Sequence, residues 1–353
     1  MKPLSIPFFS AALVGAAAFL TASLQTQAQD FTTVVKEVLA ATGPTDLATP
    51  GKGDPNWFFL RKELQHLQHG DLAKADLAKV NKEGTDAVPV ITKYAEELKA
   101  LGVELLLVPV PPKAAIYPEK LDAKIDPATV PSIAPFLAKL KAAGVDALDL
   151  EAVLKKEKAA HPDKQLYCAT DSHWSPYTCQ LVAQLVADRY KDQKEIKEYA
   201  LADLIDLPQE TLEFHGDLLT AAQKSSLPKE KLPMVRAGLA VPPDGKQVTT
   251  VNKDPQSAML LLGDSHLLVF RKGGDMLATQ GGFVDHLQVD LSAAVDEYAM
   301  QAGGADGPRA DLARATVKKP DFWAKKKVVV WVFTAREFTE GKWRVIPALV
   351  KKK

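Results

Sequence analysis

An α/β/α sandwich built on a mostly parallel sheet is the fold class that this sequence of 353 residues predicts. Three observations lead there. Short apolar runs recur at 103–110, 258–262 and 327–334, as expected of strands buried on both faces. Helix-period segments lie between them and supply the crossovers that parallel pairing requires. Gly102 and Gly144 stand where two of those helices should stop.

Taken in order, the chain first shows a helical pattern from residue 29 that ends in a loop rich in Gly, Pro and Asp. Trp57-Phe58-Phe59-Leu60 then reads as a strand. Val88, Ile91, Ala95 and Leu98 fall at helical spacing before Gly102, and Val103 to Val110 follows as a buried strand. The alternation returns with a helix over 133–143, a short strand over 145–150, a helix over 152–160 and an extended piece over 165–169. Residues 176–190 read as a helix with Pro176 near its start. Residues 191–257 are charged and dotted with proline, and read as an insertion or capping region within one catalytic domain. Two further strands, 258–262 and 327–334, complete the sheet.

The composition narrows the function classes. With 46% hydrophobic residues the chain can bury a full core. Its 44 basic residues against 44 acidic ones leave no net charge, which argues against a nucleic-acid partner. The C-terminal Lys351-Lys352-Lys353 reads as a solvated end. The N-terminus reads as an export signal: Lys2 is followed by an apolar run from Ile6 to Leu20 and then Thr26-Gln27-Ala28, a small-x-small cleavage pattern. Residues 1–28 would then be removed, and the mature chain would begin near Gln29 in the periplasm or outside the cell. The alternative is an uncleaved anchor, although the run falls short of the ~20 residues that span a bilayer. Export places Cys168 and Cys179 in an oxidising compartment, where a disulfide between them would contribute ~2–3 kcal/mol.

Two short segments carry the chemistry: Asp171-Ser172-His173-Trp174 and Gly263-Asp264-Ser265-His266. A serine just beyond a buried strand lies at the carboxyl edge of the sheet, where α/β folds bind ligands. Backbone N–H groups of a following helix could hold an oxyanion, and Gly263 would let substrate approach the backbone. An N-cap serine is the plain alternative. Such a serine needs a base, and His173 can serve. Asp171, two residues earlier, can orient the imidazole and stabilise its charged form. His266 also neighbours Ser265, but shows no evident orienting acid. His66 and His69 are spaced to ligate a metal, yet no acidic or Cys cluster completes a site, so no metal and no cofactor are expected. Trp174 could floor a sugar site or sit in the core. Arg336 could touch substrate or pair with a buried carboxylate.

The Asp-Ser-His-Trp-Ser-Pro segment at 171–176 resembles the Asp-x-His-Trp element of the AlgJ/AlgX alginate O-acetyltransferase family. In that family the Asp-x-His segment precedes the serine segment, as it does here. Gly51-Lys52-Gly53-Asp54 with Trp57 to Leu60, Val108 to Lys113 with Ile116 to Glu119, and Val329 to Trp331 with Arg336 to Phe338 resemble further family segments. The resemblance implies an SGNH-hydrolase-like domain with Ser265 as nucleophile, His173 as base and Asp171 as its orienting carboxylate. It implies an acetyl-serine intermediate, a polysaccharide acceptor and a membrane-bound acyl-transfer protein as donor. It also places Gly281 and Gly282 where the family supplies an oxyanion-hole glycine. Asp264 departs from the family's usual small or hydroxyl residue and gives an esterase-like Gly-Asp-Ser. Val332 departs from an acidic residue, and no carbohydrate-binding module is expected beyond 345. A carbohydrate esterase and a non-catalytic polysaccharide-binding component are therefore the competing readings.

Overall fold

The computed structural model describes residues 28–349 except 199, 200, 202, 242–246, 250 and 320. The export signal expected over residues 1–28 lies outside the described residues apart from Ala28. Among the described residues, no helix is long and apolar enough to cross a membrane.

Five strands form the central sheet: β1 (Glu104–Val110), β2 (Asp146–Ala147), β3 (Met259–Gly263), β4 (Asp296–Ala299) and β5 (Val328–Thr334). Their order is β4-β3-β5-β1-β2, and every pairing is parallel. The helices that matter for the site and its support are α1 (Phe31–Ala41), α2 (Ala87–Ala100), α3 (Ala134–Ala142), α4 (Leu150–Ala160), α5 (Pro176–Tyr190), α6 (Phe283–Leu291) and α7 (Asp306–Thr316).

The strands alternate between two cores, one on each face. Leu106, Val108, Leu261, Val330 and Val332 pack with α1, α4, α5 and α6. Leu105, Leu107, Leu260, Leu262, Val329 and Trp331 pack with α2, α3 and α7. Each such Leu or Val contributes ~1.5–3 kcal/mol by burial, so both faces favour an apolar run over an alternating one. This is the expected three-layer α/β/α sandwich. Its helix limits have local causes. Asp86 Oδ1 accepts the Val88 N–H at the start of α2, and Gly102, at φ +74°, follows its end. Ser175 Oγ caps α5, with Pro176 in its first turn.

Several local expectations are corrected. The strand read at Trp57–Leu60 is Phe58–Leu60, and it pairs antiparallel with Ala48–Pro50, outside the central sheet. The segment read as extended over 165–169 forms only a single bridge, Tyr167 to Trp174. Residues 191–257 contain two small antiparallel arrangements. Leu204–Asp206, Ala237–Val241 and Gln247–Thr249 make one, and Glu210–Phe214 with Glu230–Met234 make the other.

In register, Gly263 stands beside Val332, and Thr334 beside Val110. The carboxyl edge of the sheet therefore gathers Ser265, Arg336 and Lys113, each a few residues past its strand.

Candidate active site

The Asp171–His173 segment is the tip of a narrow hairpin. The Cys168 N–H donates to His173 O at 3.1 Å, and the Ser175 N–H donates to Leu166 O at 2.9 Å. Asp171 Oδ1 accepts the His173 backbone N–H at 3.1 Å, which tightens the turn. The same oxygen lies 2.6 Å from His173 Nδ1. On the other side of the ring, Nε2 lies 2.7 Å from Ser265 Oγ. An ionised carboxylate only accepts, so Nδ1 carries the proton and Nε2 accepts from the serine hydroxyl. Asp171 and His173 are buried, whereas Ser265 is partly exposed.

The electrostatics support that assignment. Burial pushes the Asp171 carboxyl up, but the His173 charge and its hydrogen bonds outweigh this and hold it down at about 2. For His173, burial pushes down, while the Asp171 charge and hydrogen bond push up; the net shift is upward. A serine hydroxyl on an imidazole held by a buried carboxylate is the arrangement that makes serine a nucleophile.

The serine side is built differently from the expected helix start. β3 runs into a three-residue 3₁₀ turn, Ser265–Leu267, and not directly into an α-helix. Asp264 caps the turn by accepting the His266 N–H at 2.9 Å, while its other oxygen takes the Thr334 N–H at 3.0 Å. The Ser265 turn is thereby tied to the end of β5. The Ser265 N–H has no partner among the described residues, and so is available to an oxyanion. The fold itself requires a glycine at 263: a Cβ there would lie 2.4 Å from Val332 O.

His266 has an orienting acid after all, since Asp264 Oδ1 lies 2.9 Å from its Nδ1. Burial drives its pKa down, so it stays neutral. Its ring meets His173 edge-on, with centroids 4.9 Å apart, and Trp174 at 5.0 Å.

Other expected residues fall elsewhere. Gly281 and Gly282 do not offer oxyanion donors: the Gly281 N–H donates to Phe270 O at 2.8 Å, and the Gly282 N–H to Asp285 Oδ2 at 3.1 Å. Trp174 is fully buried, packed on His266 and Phe283, so it cannot floor a sugar site. Arg336 pairs with buried Glu63 at 3.3 Å. The expected Cys168–Cys179 bridge is not formed; both are free, buried thiols, and Cys168 Sγ donates to Trp174 O at 3.5 Å. His66 is buried against Thr339 Oγ1 at 2.9 Å, not on a solvated face.

Two acidic residues from the 191–257 region, unnoticed in the sequence, frame the hairpin tip. Asp217 donates its N–H to Asp171 Oδ2 at 2.9 Å, and its carboxylate takes the Ser172 N–H and hydroxyl, each at 2.7 Å. Glu230 accepts the Ala169 N–H at 2.7 Å and the Thr170 N–H at 2.9 Å. Asp171, His173 and Asp217 are close enough together to hold a metal ion. Their hydrogen bonds to one another and to Ser172 account for that closeness.

The family described as SGNH hydrolase-like domain, acetyltransferase AlgX, matches residues 51–335. The chain belongs to this family. The chain is 27% identical, over 300 residues, to the Pseudomonas aeruginosa protein named "Probable alginate O-acetylase AlgJ", covering 80% of this chain and 69% of that one. Among solved structures it is similar to the O-acetyltransferase domain of Pseudomonas putida AlgJ, with a TM-score of 0.57 and 24% identity, covering 83% of this chain and 92% of that chain. It is also similar to Pseudomonas aeruginosa AlgX, with a TM-score of 0.57 and 19% identity, covering 85% of this chain and 65% of that chain. Both likenesses extend the fold. Membership of the SGNH family, with buried Asp171 and His173 clustered with the more exposed Asp217, identifies an enzyme of the acyl-transfer type.

Proposed function

We propose that this enzyme moves an acetyl group through an acetyl-Ser265 intermediate onto a hydroxyl of an exported, alginate-like polysaccharide. The observation that carries the reading is the continuous chain Asp171–His173–Ser265, with links of 2.6 and 2.7 Å. Ser265 Oγ attacks the donor carbonyl as His173 Nε2 takes its proton, and the Ser265 N–H meets the developing oxyanion. Collapse expels the leaving group, which receives that proton from His173. A sugar hydroxyl then attacks the acyl-enzyme, with His173 again the base, and Ser265 is released. Asp171 stabilises the imidazolium at both stages. The relatives' names support an acetyl group and an alginate acceptor. A membrane-bound acyl-transfer protein would supply the acetyl group, and an N-terminal export signal, as read from the sequence, would carry the enzyme to the periplasm or outside the cell.

A second reading is a carbohydrate esterase, in which water meets the same acyl-enzyme. The Gly263-Asp264-Ser265 segment and the exposed side of Ser265 favour it. Intact mass after incubation with 4-nitrophenyl acetate separates these readings. One acetyl group on Ser265 that moves to acetyl-free alginate supports the transferase. Loss to water regardless of polymer supports the esterase. With no acetylation of Ser265 the enzyme reading fails, and a non-catalytic polysaccharide-binding component takes its place.

A further inference from the structure

Lys113 takes no part in the chemistry above, yet it is among the most deeply buried cations in the protein, at 1% exposure. It sits just past β1, after Pro111-Pro112. Its Nζ donates to three backbone carbonyls: Asp171 at 2.7 Å, Phe58 at 2.8 Å and Ala169 at 3.3 Å. An ammonium has three protons and accepts nothing, so this cradle uses all of them; a neutral amine would leave one carbonyl without a donor. A buried ion costs more than an apolar residue of equal volume unless its contacts do something that an apolar residue cannot. Here one of the three acceptors is the carbonyl of Asp171, the residue that orients the base, and another is that of Ala169, two positions before it.

The opposite side of the same stretch is held by an anion. Glu230 takes the Ala169 and Thr170 N–H groups, the Thr170 hydroxyl at 2.7 Å and Gln165 Nε2 at 2.7 Å. The backbone from Ala169 to Asp171 is thus gripped through its carbonyls by a cation and through its N–H groups by a carboxylate. Glu63 completes the charge balance, accepting the Lys113 backbone N–H at 3.2 Å.

We propose that Lys113 is a positioning residue, with Glu230 as the opposing grip, that holds the Asp171 backbone where its carboxylate meets His173 Nδ1. The catalytic consequence rests on the acyl-serine reading. The positional one does not, because the Asp171–His173 hydrogen bond exists without substrate. A displacement of about 1 Å in such a contact costs on the order of 10²-fold in rate.

The test compares full-length wild type with Lys113→Met. Three quantities are read: the low-field proton resonance of His173 Nδ1–H, the His173 titration midpoint by NMR, and the rate of Ser265 acetylation by 4-nitrophenyl acetate. The groups acting on His173, namely Asp171, Asp217, Asp264 and the His266 ring, are all retained in the variant. The sign of the midpoint shift is decisive. Losing a nearby cation by itself would raise the midpoint, whereas losing the Asp171 alignment lowers it. The expected result is a weakened or lost low-field resonance, a lower midpoint and acetylation slowed about 10²-fold. A wild-type resonance with an unchanged or raised midpoint would overturn the proposal. Should Lys113→Met fail to fold, Glu230→Gln probes the grip from the N–H side, and a wild-type resonance there overturns it equally. A wild type that shows the resonance but never acetylates Ser265 refutes the acyl-serine reading and leaves the positioning result standing.

Discussion

The backbone N–H of Asp217 donates to Asp171 Oδ2 at 2.9 Å, across 46 positions of sequence. With the Asp217 carboxylate on Ser172, this closes a clasp around the hairpin tip. Asp217→Asn replaces one of the two oxygens that accept from Ser172 with a donor and removes one negative charge beside His173. Activity should fall roughly 10-fold, the usual scale for a group that orients a functional side chain. The acid limb of the pH profile should move to lower pH, since an anion that favours the imidazolium has gone. Rates against pH for both proteins check this.

Replacing Ser265 or His173 by alanine should lower acetyl transfer by at least ~10³-fold. The fold should survive, because the two cores of the sheet contain neither side chain. Circular dichroism with acetylation kinetics tests both halves. Turnover retained in purified Ser265→Ala would remove the triad from the mechanism.

His173 works as a base only when neutral, and Asp171 raises its pKa above the usual 6.5. The imidazolium therefore persists to higher pH. The rate should fall as pH drops through a midpoint above 6.5, not below it. A kcat/KM profile that stays flat down to pH ~5.5 would contradict the assignment.

Cys168 and Cys179 should behave as two free thiols. Burial pushes both pKa values up, so alkylation of the native protein at neutral pH should be slow. Under non-reducing denaturing conditions, mass analysis should find two labels per chain. No label would restore the bridge that the sequence suggested.

Gly216 packs its backbone directly on the hairpin: a Cβ there would lie 2.0 Å from Thr170 O and 2.5 Å from Asp171 N. Gly216→Ala must push the tip aside, at a cost of ~1–3 kcal/mol. Activity should fall further than a loss of stability alone explains, which thermal melts and kcat measured well below Tm will separate.

The legible parts of the chain are those whose reason is local. β1, β3 and β5 stood out because a strand buried on both faces must be apolar throughout, as Leu105 to Val108 shows. The Asp171–x–His173 pairing was legible because one tight turn carries both residues. The identical spacing of Asp264 and His266 marks a second such pair. Asp217 and Glu230 left no mark, since nothing in their own neighbourhood says that they meet residues 46 and 60 positions earlier. β4 was missed for another reason: Asp296-Glu297-Tyr298 is polar, as an edge strand can be. Export suggested a cysteine bridge, but the Cys168 thiol is bonded to the Trp174 carbonyl within its own hairpin.

The frame around the hairpin tip has a consequence for the order in which the enzyme comes into being. A chain emerges from the ribosome N-terminus first, so Asp171 and His173 appear after Lys113 but well before Asp217, Glu230 and Ser265. Glu230 follows Thr170 by 60 positions and Ser265 follows His173 by 92. Until that later stretch has emerged and folded back, the Asp171–His173 pair has Lys113 on one side but lacks Asp217, Glu230 and Ser265. The site also waits on β5, the last strand in sequence, because β3, which leads into Ser265, is joined to β1 only through it.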